Sequence, residues 1–119
     1  MNKLCMSKCL TDLTQTILER AFDKNKVAKL IEEHSVVLNK IVFHRLFNLP
    51  VNENIVLMKR FGIVTGKSET LEAIGDELDV TRERIRQVEQ KALRRLTKEV
   101  KSDLTKTMDD IKNEAASTE

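Results

Sequence analysis

Apolar residues recur along the chain at intervals of three and four, with polar and charged residues between them. That pattern belongs to helices that pack by one face. Leu10, Leu13, Ile17, Leu18, Ala21 and Phe22 keep the spacing, interleaved with Thr11, Asp12, Gln15, Glu19 and Arg20, and predict one amphipathic helix over residues 10–22. Asp23 to Asn25 breaks it. Val27, Leu30 and Ile31 resume the pattern, and Ser35 is a candidate cap for a further helix carrying Val37, Leu38, Ile41, Val42, Leu46 and Phe47. One helix or two over residues 25–48 fits the spacing equally. Leu49-Pro50 ends the stretch, because proline disfavours the α conformation in the residue before it. Asn52 is placed to cap a short helix through Arg60, with Ile55, Val56 and Met58 as core candidates. Gly62 suits a left-handed helix end. Val64 to Glu69 reads as a polar loop. Thr70 can cap the next helix, with Glu72 in its first turn, where the helix dipole favours a carboxylate.

From Thr70 to Leu96 the pattern is that of a helix-turn-helix. Leu71, Ile74 and Leu78 line one face of the first helix, and Gly75 falls where the two helices should cross. Asp79 can turn the chain in a left-handed conformation, Val80 is expected to fill the core, and Thr81 to cap the second helix. Ile85, Val88 and Ala92 then face the first helix. Arg82, Glu83, Arg86 and Gln87 are left pointing outward near the start of the second helix, where a recognition helix meets base edges. Arginine donates two hydrogen bonds to guanine, glutamine suits adenine, and glutamate accepts from cytosine. Arg84, Lys91, Arg94 and Arg95 turn partly elsewhere and suit phosphates or a protein partner. Backbone N–H groups near Leu71 and Arg82 suit phosphate oxygens. Past Leu96, Val100, Leu104, Met108 and Ile111 continue the apolar spacing, so the helix runs on or frays near Ser102-Asp103. Asn113 to Glu119 are small and polar and are expected to be disordered. The expected fold is all-α, a helical bundle with a C-terminal helix-turn-helix and no wing. Residues 1–48 form an N-terminal helical segment suited to a partner or dimer interface. Residues 49–98 are the helix-turn-helix domain, and 99–119 a helical extension with a tail.

Composition agrees with this. Three Gly and one Pro leave little material for the turns of an all-β fold. The net charge of +2 decides little, but its distribution decides more. Residues 69–79 carry five acids and no base, residues 82–98 seven bases against two acids, and residues 99–119 three lysines against six acids. Positive charge focused on one helix is the footprint of a polyanion binder. Cys5 and Cys9, four residues apart, could join His34 or His44 in a zinc site, but without a second ligand pair they read as reduced thiols, and no metal is expected. No apolar run approaches the roughly 20 residues of a membrane span. The N-terminus has lysines but no continuous apolar core, so no signal peptide is expected, and an intracellular location follows. Two His, scattered carboxylates and no Gly-rich phosphate loop give no catalytic constellation and imply no cofactor, so no enzyme is expected.

The stretches Thr70 to Gly75, Asp79 to Glu89, Lys91 to Leu96 and Leu57 to Ile63 (Leu-Met-Lys-Arg-Phe-Gly-Ile) resemble region 4 of the sigma-70 family, the bacterial RNA polymerase subunit domain that binds the promoter −35 element. The resemblance begins between Leu38 and Pro50 and ends near Leu96. It implies that Arg82, Glu83, Arg86 and Gln87 read bases of double-stranded −35-like DNA, and that Arg60, Thr70, Leu71, Thr81 and Arg84 contact or flank the DNA backbone. It also implies that Lys91 and Arg94 meet upstream-bound activators. An apolar cup including Phe61, Ile63 and Leu96 would receive the polymerase β-flap. The location implied is the bacterial or phage cytoplasm, at the nucleoid. Some features depart from the family. Residues 1–37 match nothing in it, Asn52 stands near a commonly basic position, and Ala73 replaces a common acid. With no Trp, no Tyr and four Phe, the chain shows no region 2, whose aromatics melt the −10 element. Three functions follow: an accessory or split sigma subunit or activator, working with a region-2-bearing partner; a polymerase-independent regulator, dimeric through residues 1–48 or 97–112; or a flap-binding protein that displaces the resident sigma factor.

Overall fold

The structure is a computed structural model that describes the backbone of residues 3–117 and the side chains of residues 8–106. The described chain is all-α, with helices α1 (Lys3–Ala21), α2 (Lys24–Phe47), α3 (Val51–Phe61), α4 (Leu71–Leu78) and α5 (Arg82–Ser117). No helix among the described residues is long and apolar enough to cross a membrane. The 36 residues of α5 give it a length of ~54 Å at 1.5 Å per residue, and this helix sets the 59 Å long dimension of the molecule. It reaches Ser117, so the segment expected to lose order from Asn113 is helical in its backbone to that point. Met108 and Ile111, expected to extend the apolar face, lie outside the described side chains.

Both sequence patterns between residues 25 and 48 are present in α2. It is one helix bent at His34, whose φ of −134° and ψ of 28° leave the helical region immediately before Ser35. The start of α3 differs from expectation. Pro50, extended at φ −51° and ψ 147°, holds the cap position, and Asn52 lies inside the helix. Proline fits there because its missing N–H is one that a helix start leaves unbonded. The side chain of Asn54 serves the preceding helix instead, donating to the Leu46 carbonyl at 2.8 Å.

Two apolar clusters share α5. The larger joins Leu10, Leu13, Ile17 and Leu18 of α1, Val27, Leu38, Val42 and Leu46 of α2, Leu57 and Ile63, and Ala92, Leu93, Leu96, Val100 and Leu104 of α5. The smaller joins Val56, Ile74, Ile85 and Val88, with Leu71 against it. The first turns of α5 thus belong to the helix-turn-helix, and its later turns to a bundle with α1 and α2. Leu57, fully buried, is a core residue that the spacing argument passed over. Cys9 is a free, half-buried thiol against the larger cluster, while the side chain of Cys5 lies outside the description.

An ion pair fastens the far half of α5 where fraying was one expectation. Asp103 accepts two hydrogen bonds from the Arg45 guanidinium, both at 2.6 Å, and Glu99 lies 3.2 Å from the same group. The Arg45 hydrogen bonds hold the Asp103 carboxyl below the usual carboxylate range, against the opposing effect of burial. A depressed folded pKa means that the contribution is complete above the unfolded value near 3.9 and is lost as pH falls through the folded value. A half-buried bidentate pair contributes about 1–2 kcal/mol. Asp103→Asn should therefore melt about 4–8 °C below the parent at pH 7. The difference should hold to about pH 5 and shrink below about pH 4. A gap that grows as the solution is acidified would contradict this assignment.

Candidate nucleic-acid interface

Local chemistry sets the helix-turn-helix. Thr70 is extended and its hydroxyl accepts from the Ala73 N–H at 3.1 Å, starting α4. Thr81 accepts from the Arg84 N–H at 3.1 Å, starting α5. Between them Asp79 takes the left-handed conformation, with φ 59° and ψ 45°, ending α4 after eight residues. The turn differs from expectation in one respect. Val80 is 42% exposed and does not fill the core, and Leu78 is 38% exposed. The left-handed step at Asp79 turns the Val80 main chain, not its side chain, toward α4. Its N–H donates to the Gly75 carbonyl at 2.9 Å, and its own carbonyl oxygen lies 2.7 Å from where a Cβ on Gly75 would be. Gly75 therefore admits both the turn and the start of α5, whose Arg82 nitrogen lies 3.4 Å from the same point. Ala92 also differs, lying in the larger cluster and not against α4. Eight residues give α4 only ~12 Å of length, and α5 has outrun it by that point.

Gly75→Ala tests this contact. Alanine gains about 1 kcal/mol of helix propensity. The 2.7 Å overlap falls on a backbone carbonyl, which must shift at a cost of about 1–3 kcal/mol. A net loss of about 1 kcal/mol is expected in denaturant titration. Binding to DNA should fall in parallel, because the carbonyl that moves is one residue from the Thr81 cap. A more stable variant would show that the turn yields freely.

On this frame Arg82, Glu83, Arg86 and Gln87 are all exposed within the first two turns of α5, and the N-terminal bundle does not cover them. Arg86 and Glu83 form an ion pair one turn apart. Arg86 Nη2 lies 2.7 Å from Glu83 Oε1, and its Nε 3.0 Å from Oε2. The hydrogen bond from Arg86 leads in holding the Glu83 carboxyl below its ordinary range, and Glu83 in turn raises Arg86. Arg84, Gln87 and Lys91 share a cleft with Asn52 and Glu53 at the start of α3. Lys91 and Arg94 are exposed. Leu71 is half-buried at the first position of α4.

Other predicted residues are placed differently. Arg60 is committed within the protein. Its Nε donates to Glu89 at 3.3 Å and its Nη1 to the Glu69 carbonyl at 3.0 Å, which ties the end of α3 to α5 and to the loop before α4. Ile63 and Leu96 are 1% and 0% exposed, and Phe61 packs against the same core, so the three make no open cup. Three ties, two from α3 to α5 and one from α3 to α4, have no signature in the local sequence pattern. Arg95 holds Glu53 at 3.1 Å, Arg60 holds Glu89, and Lys59 holds Glu77 at 2.7 Å. Glu53 and Glu89 are buried carboxylates. Each pair joins helices far apart in sequence, beyond the reach of the i,i+4 rule. Among the described residues no His, Cys, Asp and Glu side chains gather into a group that could hold a metal.

Comparison with known proteins agrees with this geometry. A model of the family described as sigma-70, region 4, matches residues 46–98. The RNA polymerase sigma factor RpoD of Neisseria gonorrhoeae is 43% identical over 81 residues, which cover 68% of this chain and 13% of that protein. The RNA polymerase sigma factor SigA of Clostridium acetobutylicum is 55% identical over 51 residues, 43% of this chain and 14% of that protein. The chain thus spans only a small part of the length of these relatives. No solved structure matches it. The capped helices, the left-handed turn and the exposed basic start of α5 coincide with the matched segment, and residues 46–98 belong to the sigma-70 region 4 family, with its DNA-binding helix-turn-helix.

Proposed function

We propose that the chain recognises −35-like promoter DNA and works with RNA polymerase, as an accessory or split sigma subunit or an activator. The observation that carries this is the open start of α5: Arg82, Glu83, Arg86 and Gln87 are exposed together on a helix that the rest of the protein holds by its other face. A helix fits the major groove, and these four side chains match base-edge donors and acceptors. Thr70 and Thr81 use their hydroxyl oxygens as caps, leaving each O–H proton able to reach a phosphate. Arg84 joins them on the DNA backbone, with the N–H groups at the start of α4 near Leu71. Arg60 acts one step back, by holding the loop that presents Thr70. Polymerase enters because both relatives are RNA polymerase sigma factors. Lys91 and Arg94 are the exposed basic positions for a protein neighbour. Ile63 and Leu96, closed within the core of the free protein, and Phe61, packed against it, are the positions that would meet the β-flap. A separate protein bearing region 2 would supply promoter melting. The setting is the bacterial or phage cytoplasm.

Titrating the chain with a TTGACA-containing duplex and with a scrambled duplex tests this reading. Tighter binding to the first is expected, with both affinities falling steeply as salt rises. Equal affinity for the two sequences would reduce the function to non-specific DNA binding.

A further inference from the structure

The surface assigned to polymerase is closed by the protein itself. Leu13, Ile17 and Leu18 of α1 are each 0% exposed, in the same cluster as Leu57, Ile63, Leu93, Leu96 and Val100. Helix α1 lies against α5, α2 and α3. Its Leu10, Leu13, Ile17 and Leu18 stand at i, i+3, i+7 and i+8, the apolar stripe of an amphipathic helix. The groove between α3 and α5 therefore shows its own preference. It takes a helix with aliphatic side chains on one face, and α1, which lies chiefly against α2 and α5 and touches α3, covers it. The base-reading start of α5 lies in the other cluster and stays open.

We infer that α1 is an autoinhibitory plug, which the polymerase flap must displace before it can dock on the apolar faces of α3 and α5. The inference rests on the polymerase contact proposed above. A partner that brings aliphatic side chains re-covers the faces of α3 and α5 that α1 leaves, so the two compete for those faces. An attached helix competes at an effective concentration of order mM, and the flap's apparent affinity is scaled by the fraction of molecules with α1 released. A polar latch sets that fraction. The Thr14 hydroxyl, in a residue 1% exposed, donates to Asn39 Oδ1 at 2.7 Å, and Asn39 Nδ2 donates to Thr11 Oγ1 at 2.9 Å. These bonds tie α1 to α2 and involve none of the cup residues Phe61, Ile63 and Leu96. Asn39→Ala removes the acceptor of a buried hydroxyl without altering any residue of the groove or of the DNA surface.

The test titrates the isolated β-flap domain of a bacterial RNA polymerase with the full chain and with Asn39→Ala, and follows amide hydrogen exchange in the unmutated chain. Asn39→Ala should bind the flap about tenfold more tightly than the parent, while both bind a −35-like duplex equally. In the parent, saturating flap should speed exchange across residues 3–21 and leave α4 unchanged. Should Asn39→Ala lose its helicity, the exchange measurement decides alone. Flap binding of equal strength to both chains, with exchange in α1 unaltered, overturns the plug and leaves the polymerase contact standing. No flap binding by either chain at low salt overturns both.

Discussion

Gly62→Ala is expected to lower the melting temperature by roughly 10–15 °C, the equivalent of about 3 kcal/mol for a domain of this size. Two independent costs meet at this position. The first is conformational: Gly62 sits at φ 64° and ψ 35°, where a Cβ costs ~1–2 kcal/mol. That geometry is needed because the chain closes α3 in a paired cap, with the Gly62 N–H on the Lys59 carbonyl at 3.3 Å and the Ile63 N–H on the Met58 carbonyl at 3.0 Å. The second cost is steric. A Cβ would stand 2.4 Å from the Lys67 carbonyl carbon, 2.6 Å from its oxygen and 2.7 Å from the Ser68 nitrogen. These are backbone atoms and cannot swing aside as a side chain does. Moving them moves the loop that Arg60 holds through the Glu69 carbonyl, and with it the Thr70 cap. A melt within about 2 °C of the parent would show that this loop carries no such constraint.

What could be read from the sequence was the chemistry that acts over a few residues. Gly62, Thr70, Asp79 and Thr81 each terminate or start a helix for reasons contained in their own side chains, and each does so in the structure. Ile74, Ile85 and Val88 announce their burial by spacing alone. The structure departs from the local pattern where the deciding atom is main chain or far away in the sequence. Val80 reads as a core residue because it is apolar between two helices, but the turn lays its main chain against Gly75, its N–H donating to the Gly75 carbonyl, and leaves its side chain half-exposed. Asn52 looked like a cap, and Pro50 took the position. The Glu53–Arg95 tie spans 42 residues, and no local pattern announces it. The covering of Ile63 and Leu96 depends on where α1 docks, and its amphipathic stripe predicts that it must be buried without saying against what.

The position of α1 changes how the parts of the molecule relate. Residues 1–48 read in the sequence as a helical segment apart from the helix-turn-helix, but the larger cluster draws α1 and α2 together with the middle and later turns of α5. One helix is therefore the wall of both units. Its first turns present Arg82, Glu83, Arg86 and Gln87 to solvent, while turns further along are committed to aliphatic partners. Leu96, in the proposed polymerase contact, and the proposed base-reading residues lie on a single helix of ~54 Å, so in this proposal a partner displacing α1 does not need to move the recognition residues.

Arg86→Ala should weaken binding to a −35-like duplex about ten- to a hundredfold, the range expected for one bidentate base contact, and weaken binding to a scrambled duplex only a few-fold. Stability should not change measurably, because the guanidinium is exposed and its one partner in the free protein is the exposed Glu83. That partner shapes the contact. Glu83 holds the Nε and Nη2 edge of Arg86 at 2.7–3.2 Å and so fixes the plane of the guanidinium before DNA arrives. Removing it leaves the charge in place but frees the side chain, so Glu83→Ala should keep much of the affinity for scrambled DNA and lose discrimination between sequences. Arg86→Lys makes the same separation from the other side, since it retains the positive charge and discards the planar fork. Both should resemble the parent on scrambled duplex and Arg86→Ala on the −35-like duplex. Because Arg86 keeps Glu83 ionised below the ordinary carboxylate range, this orientation should persist through mildly acid solution, and sequence preference should not change between pH 7 and about pH 5. Equal losses on the two duplexes for Arg86→Ala would assign this arginine to phosphate and remove it from base reading.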